Sequence, residues 1–171
     1  MKLTTLLCLA VTTATAAAAL TAAPARAEER TCRGTLGATT VDNLRVPSGA
    51  TCTLTGTKVK GTIKVQRGAT LHASAIRVIG NIQAENAARV KVVLSHIGGS
   101  IQIVQSRNAS TLSKLDRNTV KQDVQYFENR GNIRLTRNRI NGNLQCKANN
   151  PRPTGGGNIV GGNKQDQCAR L

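Results

Sequence analysis

The residues able to do chemistry are few, and their spacing narrows what that chemistry is. Four cysteines, Cys32, Cys52, Cys146 and Cys168, stand as two pairs 20 and 22 residues apart, with no close Cys-x-x-Cys and no histidine beside either pair. Structural zinc sites bring their ligands in close pairs, so this spacing reads as disulfides and no metal site is assigned. The two histidines, His72 and His96, lie 24 residues apart and are read as surface or corner residues. The eight carboxylates are Glu28, Glu29, Asp42, Glu85, Asp116, Asp123, Glu128 and Asp166, scattered apart from the first two. A glycosidase needs two carboxyls within about 10 Å, and calcium needs six to eight oxygens gathered in one place. Neither the Gly-x-Ser-x-Gly elbow of serine hydrolases nor a phosphate-binding glycine loop occurs, because Gly155-Gly156-Gly157 is not followed by Lys-Ser/Thr. No catalytic residue and no cofactor is therefore expected.

Positive charge remains as the one functional signal. The chain of 171 residues carries 24 Lys+Arg against 8 Asp+Glu, a formal charge of +16. Arg130, Arg134, Arg137 and Arg139 crowd within ten positions, and Lys58, Lys60 and Lys64, with Arg45, Arg67 and Arg77, form a second group. These are the candidate polyanion-binding residues, with counterion release as the driving force. One Tyr, one Phe and no Trp leave almost nothing to stack on bases or sugar rings, which argues against specific nucleic-acid binding and against a lectin.

Export decides which polyanions are within reach. Met1-Lys2 precedes an uncharged run over 3–23, which ends at Ala25-Arg26-Ala27, a small-x-small cleavage signal. Residues 1–27 are read as a signal peptide and 28–171 as one domain. Cys8 falls inside the leader, and Leu7 before it does not suit a lipoprotein site. No second apolar run follows, so no membrane span is expected after cleavage. An even set of cysteines in an exported chain fits an oxidising compartment.

The element that must position these residues is a repeat. The phrase apolar, spacers, then apolar–polar–apolar begins at Val59, Val78, Ile97, Val120 and Ile140, and in degraded form at Val160, with steps of 19, 19, 23, 20 and 20. Two inward columns follow: Leu44, Ile63, Ile82, Ile101, Val124, Leu144, and Val46, Val65, Ala84, Ile103, Tyr126, Cys146. A polar column runs between them: Arg45, Lys64, Gln83, Gln102, Gln125, Gln145, Gln165. Period-2 alternation marks a strand with one buried face, and its recurrence marks a solenoid. Helical repeats are longer, and Gly and Asn interrupt every candidate helix here. The expected fold is all-β: a single-stranded parallel β-helix of about six to seven coils, 19–23 residues each, taken as right-handed.

Stacked coils lie about 4.8 Å apart, within the Cα–Cα range of a disulfide, roughly 4.4–6.8 Å. Four cysteines allow three pairings, and coil stacking selects Cys32–Cys52 and Cys146–Cys168, one clamp at each end of the rod. Asn118, Asn138 and Asn158, at a spacing of 20, are read as a structural amide ladder. The stretch 151–157, Pro-Arg-Pro-Thr-Gly-Gly-Gly, is read as a loop bulging from the last coil.

The segment from Gly142 to Cys168, with its Gly-Asn-Leu-Gln-Cys opening and Gly-Gly-Asn…Gln-Cys close, resembles small uncharacterised exported proteins of high-GC Gram-positive bacteria, as does the run from Val41 to Leu54. That resemblance spans nearly all of 28–171 and implies no particular activity. The coil length is also loosely similar to that of bactofilins, which are polymerising β-helices. The function expected is a secreted, cell-wall-associated or extracellular structural or binding module, monomeric, holding an anionic wall polymer or acidic glycan on its basic surface. The alternative is a polysaccharide lyase or hydrolase acting on acidic glycans, with Asp123 and Glu128 as its acid pair. An end-to-end assembling scaffold is the third possibility, which clamped ends disfavour.

Overall fold

A computed structural model describes residues 28–107 and 112–171; the leader read at 1–27, with Cys8, lies outside the described residues. The described chain is all strand and turn, wound into a β-solenoid of about seven turns. Each turn contributes one strand to each of three parallel sheets. Sheet A stacks eight strands: 29–31, 43–46, 63–65, 82–85, 101–104, 124–127, 144–147 and 164–166. Sheet B stacks seven: 34–36, 51–55, 70–74, 89–93, 113–116, 133–136 and 154–156. Sheet C stacks seven two-residue strands, 40–41, 58–59, 77–78, 96–97, 119–120, 139–140 and 159–160.

The alternation in the sequence sets the register. Leu44, Ile63, Ile82, Ile101, Val124 and Leu144 pair in succession on sheet A, and all are fully buried. A slip of one residue would turn this whole column to water, so burial locks the pairing. Sheet B adds Cys52, Leu71, Val90 and Leu54, Ala73, Val92, Leu115, Leu135, and sheet C adds Val59, Val78, Ile97, Val120, Ile140. β-Branched and leucine side chains fill this thin core, and Tyr126 is the only aromatic ring within it. Burial pushes the Tyr126 phenol well above its ordinary range.

The corners between sheets carry the polar structure. The Asn118, Asn138, Asn158 column lies at the B–C corner, and each side chain donates back to a carbonyl of the preceding coil. Asn118 Nδ2 donates to Asn138 Oδ1 at 3.0 Å and to Val92 O at 2.8 Å; Asn138 Nδ2 donates to Asn158 Oδ1 at 2.9 Å and to Leu115 O at 3.0 Å. The column continues toward the N-terminus through Ser95, whose N–H donates to Asn118 Oδ1, and Ser95 Oγ accepts from Ile76 N.

Two further ladders emerge from the stacking. At the A–B corner, Ser106 N–H donates to Asn129 Oδ1, Asn129 Nδ2 to Asn149 Oδ1, and Asn149 Nδ2 to Gln167 Oε1. At the C–A corner the side chains of Asn43, Asn81, Asp123 and Asn143 accept from the backbone N–H groups of Thr62, Ser100, Asn143 and Asn163. Each corner thereby satisfies backbone donors that the strand ladders leave over. The glycine recurring at the C–A corner has a packing reason: a Cβ on Gly80 would sit 2.7 Å from Gly61 O of the preceding coil. The turns after the sheet B strands from 51–55 onward take a positive φ, supplied by Gly56 and Gly157 at the ends of the series and by Ala75, Leu94, Arg117 and Arg137 between them, where glycine would serve more cheaply.

Both disulfides lie at the ends of the coil. Cys32–Cys52 has a Cα–Cα distance of 5.6 Å and Cys146–Cys168 one of 5.3 Å. Neither joins register partners: Cys52 pairs with Gly34 and Cys146 with Asp166, so the terminal cysteine sits two residues beyond the matched position each time. Cys32 and Cys168 leave their strands to enter the core as end plugs, and both are buried. The stretch 151–157 differs from the loop expected for it. Thr154–Gly156 pairs in parallel with Arg134–Thr136 as the last strand of sheet B, and Pro153 is buried. The coil continues because backbone hydrogen bonding to the preceding turn outweighs the low strand preference of Thr-Gly-Gly.

Candidate functional site

Stacking distributes the cations in a way their sequence neighbourhoods do not suggest. The group Arg130, Arg134, Arg137, Arg139 is compact in sequence and dispersed in space. Arg130 lies at the A–B corner, Arg134 faces outward from sheet B, Arg137 occupies a left-handed turn at the B–C corner, and Arg139 faces outward from sheet C. A strand and a corner turn the chain through a third of a coil within these ten residues, so adjacent arginines end on different faces. The second group divides likewise: Lys58 is on sheet C, Lys64 on sheet A, and Lys60 is tied to Asp42 at 3.0 Å. Arg45 is held by Glu29 at 2.9 Å.

A different set comes together. On the outer surface of sheet B, Thr53, His72, Lys91, Lys114, Arg134 and Thr154 pair in succession across six coils. Four side chains able to carry positive charge thus stand on consecutive coils, about 4.8 Å apart along the rod. Arg89 flanks the file from its own strand and donates Nε–H to Leu112 O. The signal for this file was present in the sequence at the same 19, 23 and 20 steps as the isoleucine column, but local charge density conceals it. Burial, followed by the charges of Arg89 and Lys91, holds the His72 imidazole below its ordinary range, so it is neutral at pH 7.

Asp116 is the only carboxylate on the strands of sheets B and C, and it is withdrawn from solvent at 1% exposure. Its position faces outward in register, between Val93 and Thr136, yet its neighbours fold over it. Thr136 Oγ1 donates to Oδ1 at 2.7 Å, Arg137 Nη2 lies 3.1 Å from Oδ1, Arg117 Nε 3.2 Å from Oδ2, and Lys114 Nζ 3.4 Å from Oδ2. Burial alone would raise this carboxyl. The bonds from Thr136, Arg137 and Lys114 outweigh it and hold the group well below the usual carboxylate range. Three cations against one carboxylate leave a surplus of two positive charges there, spread over both sides of the B–C corner.

Asp116→Asn is expected to cost about 1–3 kcal/mol at neutral pH, because charge-assisted bonds are lost at a buried site. A depressed carboxyl stabilises the fold above its unfolded pKa of about 4 and loses that contribution as pH falls toward its folded value. The stability gap between the parent chain and Asp116→Asn should therefore be full at pH 7 and shrink below about pH 4. Urea titrations across that range measure it.

Sheet A differs in character. Its outer column is mostly amide, with Gln125 Nε2 donating to Gln145 Oε1 at 2.9 Å and Gln145 Nε2 to Gln165 Oε1 at 2.8 Å. The remaining carboxylates lie on its strands or in the turns beside them. Asp123 Oδ1 accepts from the backbone N–H and the side chain of Asn143, and Glu128 accepts from Gln105. The strand 124–127 separates these two acids, which puts their Cα atoms roughly 16 Å apart. His96 faces outward on sheet C between Arg77 and Thr119, away from both. Among the described residues no three His, Cys, Asp or Glu gather as metal ligands, and no helix is long and apolar enough to cross a membrane. Compared with known proteins, the chain matches no family, no curated protein and no solved structure.

Proposed function

We propose that this chain is a secreted, non-enzymatic β-solenoid module, a rigid rod at the cell wall or in the extracellular space that holds an anionic polymer on its basic faces. The observation that carries this reading is the segregation of charge. Sheets B and C present Lys58, Arg77, Arg89, Lys91, Lys114, Arg134 and Arg139 outward, and the single carboxylate on their strands is enclosed by its own neighbours. A rod with one-signed faces attracts polyanions by counterion release and presents them with a surface that needs no rearrangement. Two disulfides fit an oxidising compartment outside the cytoplasm, and the apolar leader with its small-x-small end supplies the route there. The resemblance of the Gly142–Cys168 segment to small exported proteins of high-GC Gram-positive bacteria belongs to the same reading. Against an enzyme stands the use of Asp123 and Glu128 in corner hydrogen bonds on opposite ends of one strand.

The test is retention of the purified protein on immobilised anionic wall polymer at low and high salt. Retention at low salt that falls steeply with added salt is expected, with a log–log slope set by the number of anions engaged. Salt-independent retention, or none, overturns the reading.

A further inference from the structure

We infer that the outer face of sheet B is a docking track for a linear phosphate polymer lying parallel to the rod axis, with His72, Lys91, Lys114 and Arg134 as successive stations. This rests on the polyanion reading above and adds a place, a direction and a ligand chemistry.

The place follows from comparing the three faces. The sheet B file is continuous: each station pairs in register with the next, from His72 to Arg134. The corresponding file on sheet C, Lys58, Arg77, His96, Thr119, Arg139, is interrupted by a threonine. On sheet A the column becomes glutamine from Gln83 onward, with Glu85 beside it. On sheet B the Lys114 station shares the Asp116 carboxylate with Arg117 and Arg137, and three cations against one carboxylate leave positive charge at the track's edge.

The direction follows from the geometry of the fold. Consecutive stations are one coil apart, about 4.8 Å, so four stations line up over roughly 15 Å along the axis. Across the axis each coil offers one or two cations, too few to hold a chain.

The chemistry follows from what surrounds the charges. Lys91 and Lys114 are point charges with rotatable donors, which suit phosphate oxygens of variable orientation, and Arg134 adds a planar fork. No Phe, Tyr or Trp lies on the strands of sheet B, so a sugar ring or a base has no large aromatic platform there. Thr53, Thr70 and Ser74 line the file with hydroxyls that complement phosphate oxygens. A flexible chain of phosphates therefore matches the surface better than a stacked or ring-built polymer.

His72 makes the track sensitive to acid. The strands packed against it are 51–55, which presents Thr51, Thr53 and Thr55 and no charge, and 89–93, which presents Arg89 and Lys91. Two cations and no carboxylate face the imidazole, so protonation awaits either lower pH or an arriving anion. A bound phosphate beside His72 favours the charged form, and by linkage acidification tightens binding.

The experiment titrates the purified protein with linear inorganic polyphosphates of increasing defined length, at low salt, near pH 7.5 and near pH 5.5. Affinity is expected to climb with length until the probe spans about 15 Å, then level off. Lys91→Gln combined with Arg134→Gln should weaken the longer probes about tenfold or more and reduce the salt slope by roughly two. Lys58→Gln combined with Arg139→Gln removes the same charge from sheet C and should cost less than about threefold. His72→Asn should abolish most of the gain at acid pH, while His96→Asn keeps it. Thermal melts of each variant verify that the fold is intact. Equal losses from the sheet B and sheet C pairs, or affinity indifferent to length, overturn the track while leaving general polyanion binding in place. A polyuronate or single-stranded nucleic acid that outcompetes polyphosphate of equal charge overturns the phosphate assignment. No binding of any of the three at low salt overturns the underlying reading as well.

Discussion

Replacing Asn138 with leucine is expected to destabilise the protein by about 3–5 kcal/mol, although leucine matches asparagine in size and a buried site ordinarily favours it. Asn138 is 2% exposed and bridges three coils. Its Nδ2 donates to Leu115 O and Asn158 Oδ1, and its Oδ1 accepts from the backbone N–H and the Nδ2 of Asn118. Leucine removes four hydrogen bonds at once: Leu115 O and the Asn118 backbone N–H lose this partner, while Asn158 Oδ1 keeps the Asn138 N–H and Asn118 Nδ2 keeps Val92 O. Each such group costs about 1–3 kcal/mol, and partial relaxation at the corner reduces the sum to the range given. Gln125→Leu supplies the contrast. That side chain donates to Gln145 Oε1 with similar geometry, at 2.9 Å, but on the half-buried outer face of sheet A where water replaces it. Its loss should cost less than about 1 kcal/mol. Urea unfolding with unchanged m values measures both. Equal costs at the two positions would show that burial is not what makes the corner ladders stabilising.

Removing either disulfide is expected to cost about 3 kcal/mol, since each closes a loop of 20 or 22 residues in the unfolded chain. The location adds a second effect. In a solenoid each coil is held only by its neighbours, so the outermost turns fray first. Cys32 and Cys168 sit beyond their strands and plug the two ends of the core. With Cys146→Ala and Cys168→Ala together, hydrogen exchange should accelerate first over residues 154–171, and protection in the strands from Ile63 to Ile103 should change little. The Cys32→Ala, Cys52→Ala pair should produce the mirror pattern over 29–46. Loss of protection spread evenly along the rod would mean that the coils unfold as one unit and that the clamps act on the unfolded chain alone.

The ladders and clamps also matter for the proposed role as a binding rod. A surface that holds a polymer by evenly spaced charges needs the spacing to persist, and the corner ladders and end clamps are the features that keep adjacent coils in register. Asp116 contributes differently. By gathering Lys114, Arg117 and Arg137 it holds side chains in place that would otherwise repel one another, and it does so from a buried position where its own charge is masked.

Particular residues show how far the sequence could be read. The columns through Ile63, Ile82 and Ile101 and through Val65, Ala84 and Ile103 are legible because alternation along a strand is local and its recurrence reports the coil length directly. The cysteine partners follow from that length, since only residues about one coil apart come close enough to bond. The Asn118, Asn138, Asn158 column is visible because identical residues repeat at one spacing. Its continuation through Ser95 and the ladders through Asn129 and Asn149 and through Asn81, Asp123 and Asn143 are harder to see, because different side chains do the same work at successive coils. The charge pattern misleads in the opposite way: Arg134, Arg137 and Arg139 are neighbours in the chain and belong to two faces and a corner, while His72, Lys91, Lys114 and Arg134 are far apart and belong to one file.

The sequence by itself determined which side chains point inward, the number of residues per turn and, through them, which cysteines can meet. Each of these depends on the two-residue alternation of a strand and on the need to hide apolar surface, both of which are written locally. Tertiary structure alone decided that Thr154–Gly156 becomes a strand, that an outward-facing aspartate ends up enclosed, and that a histidine and three cations from four separate turns form one line. Those outcomes depend on what the coil above and the coil below present at the same position, and a partner some twenty residues away acts only once the turns have stacked.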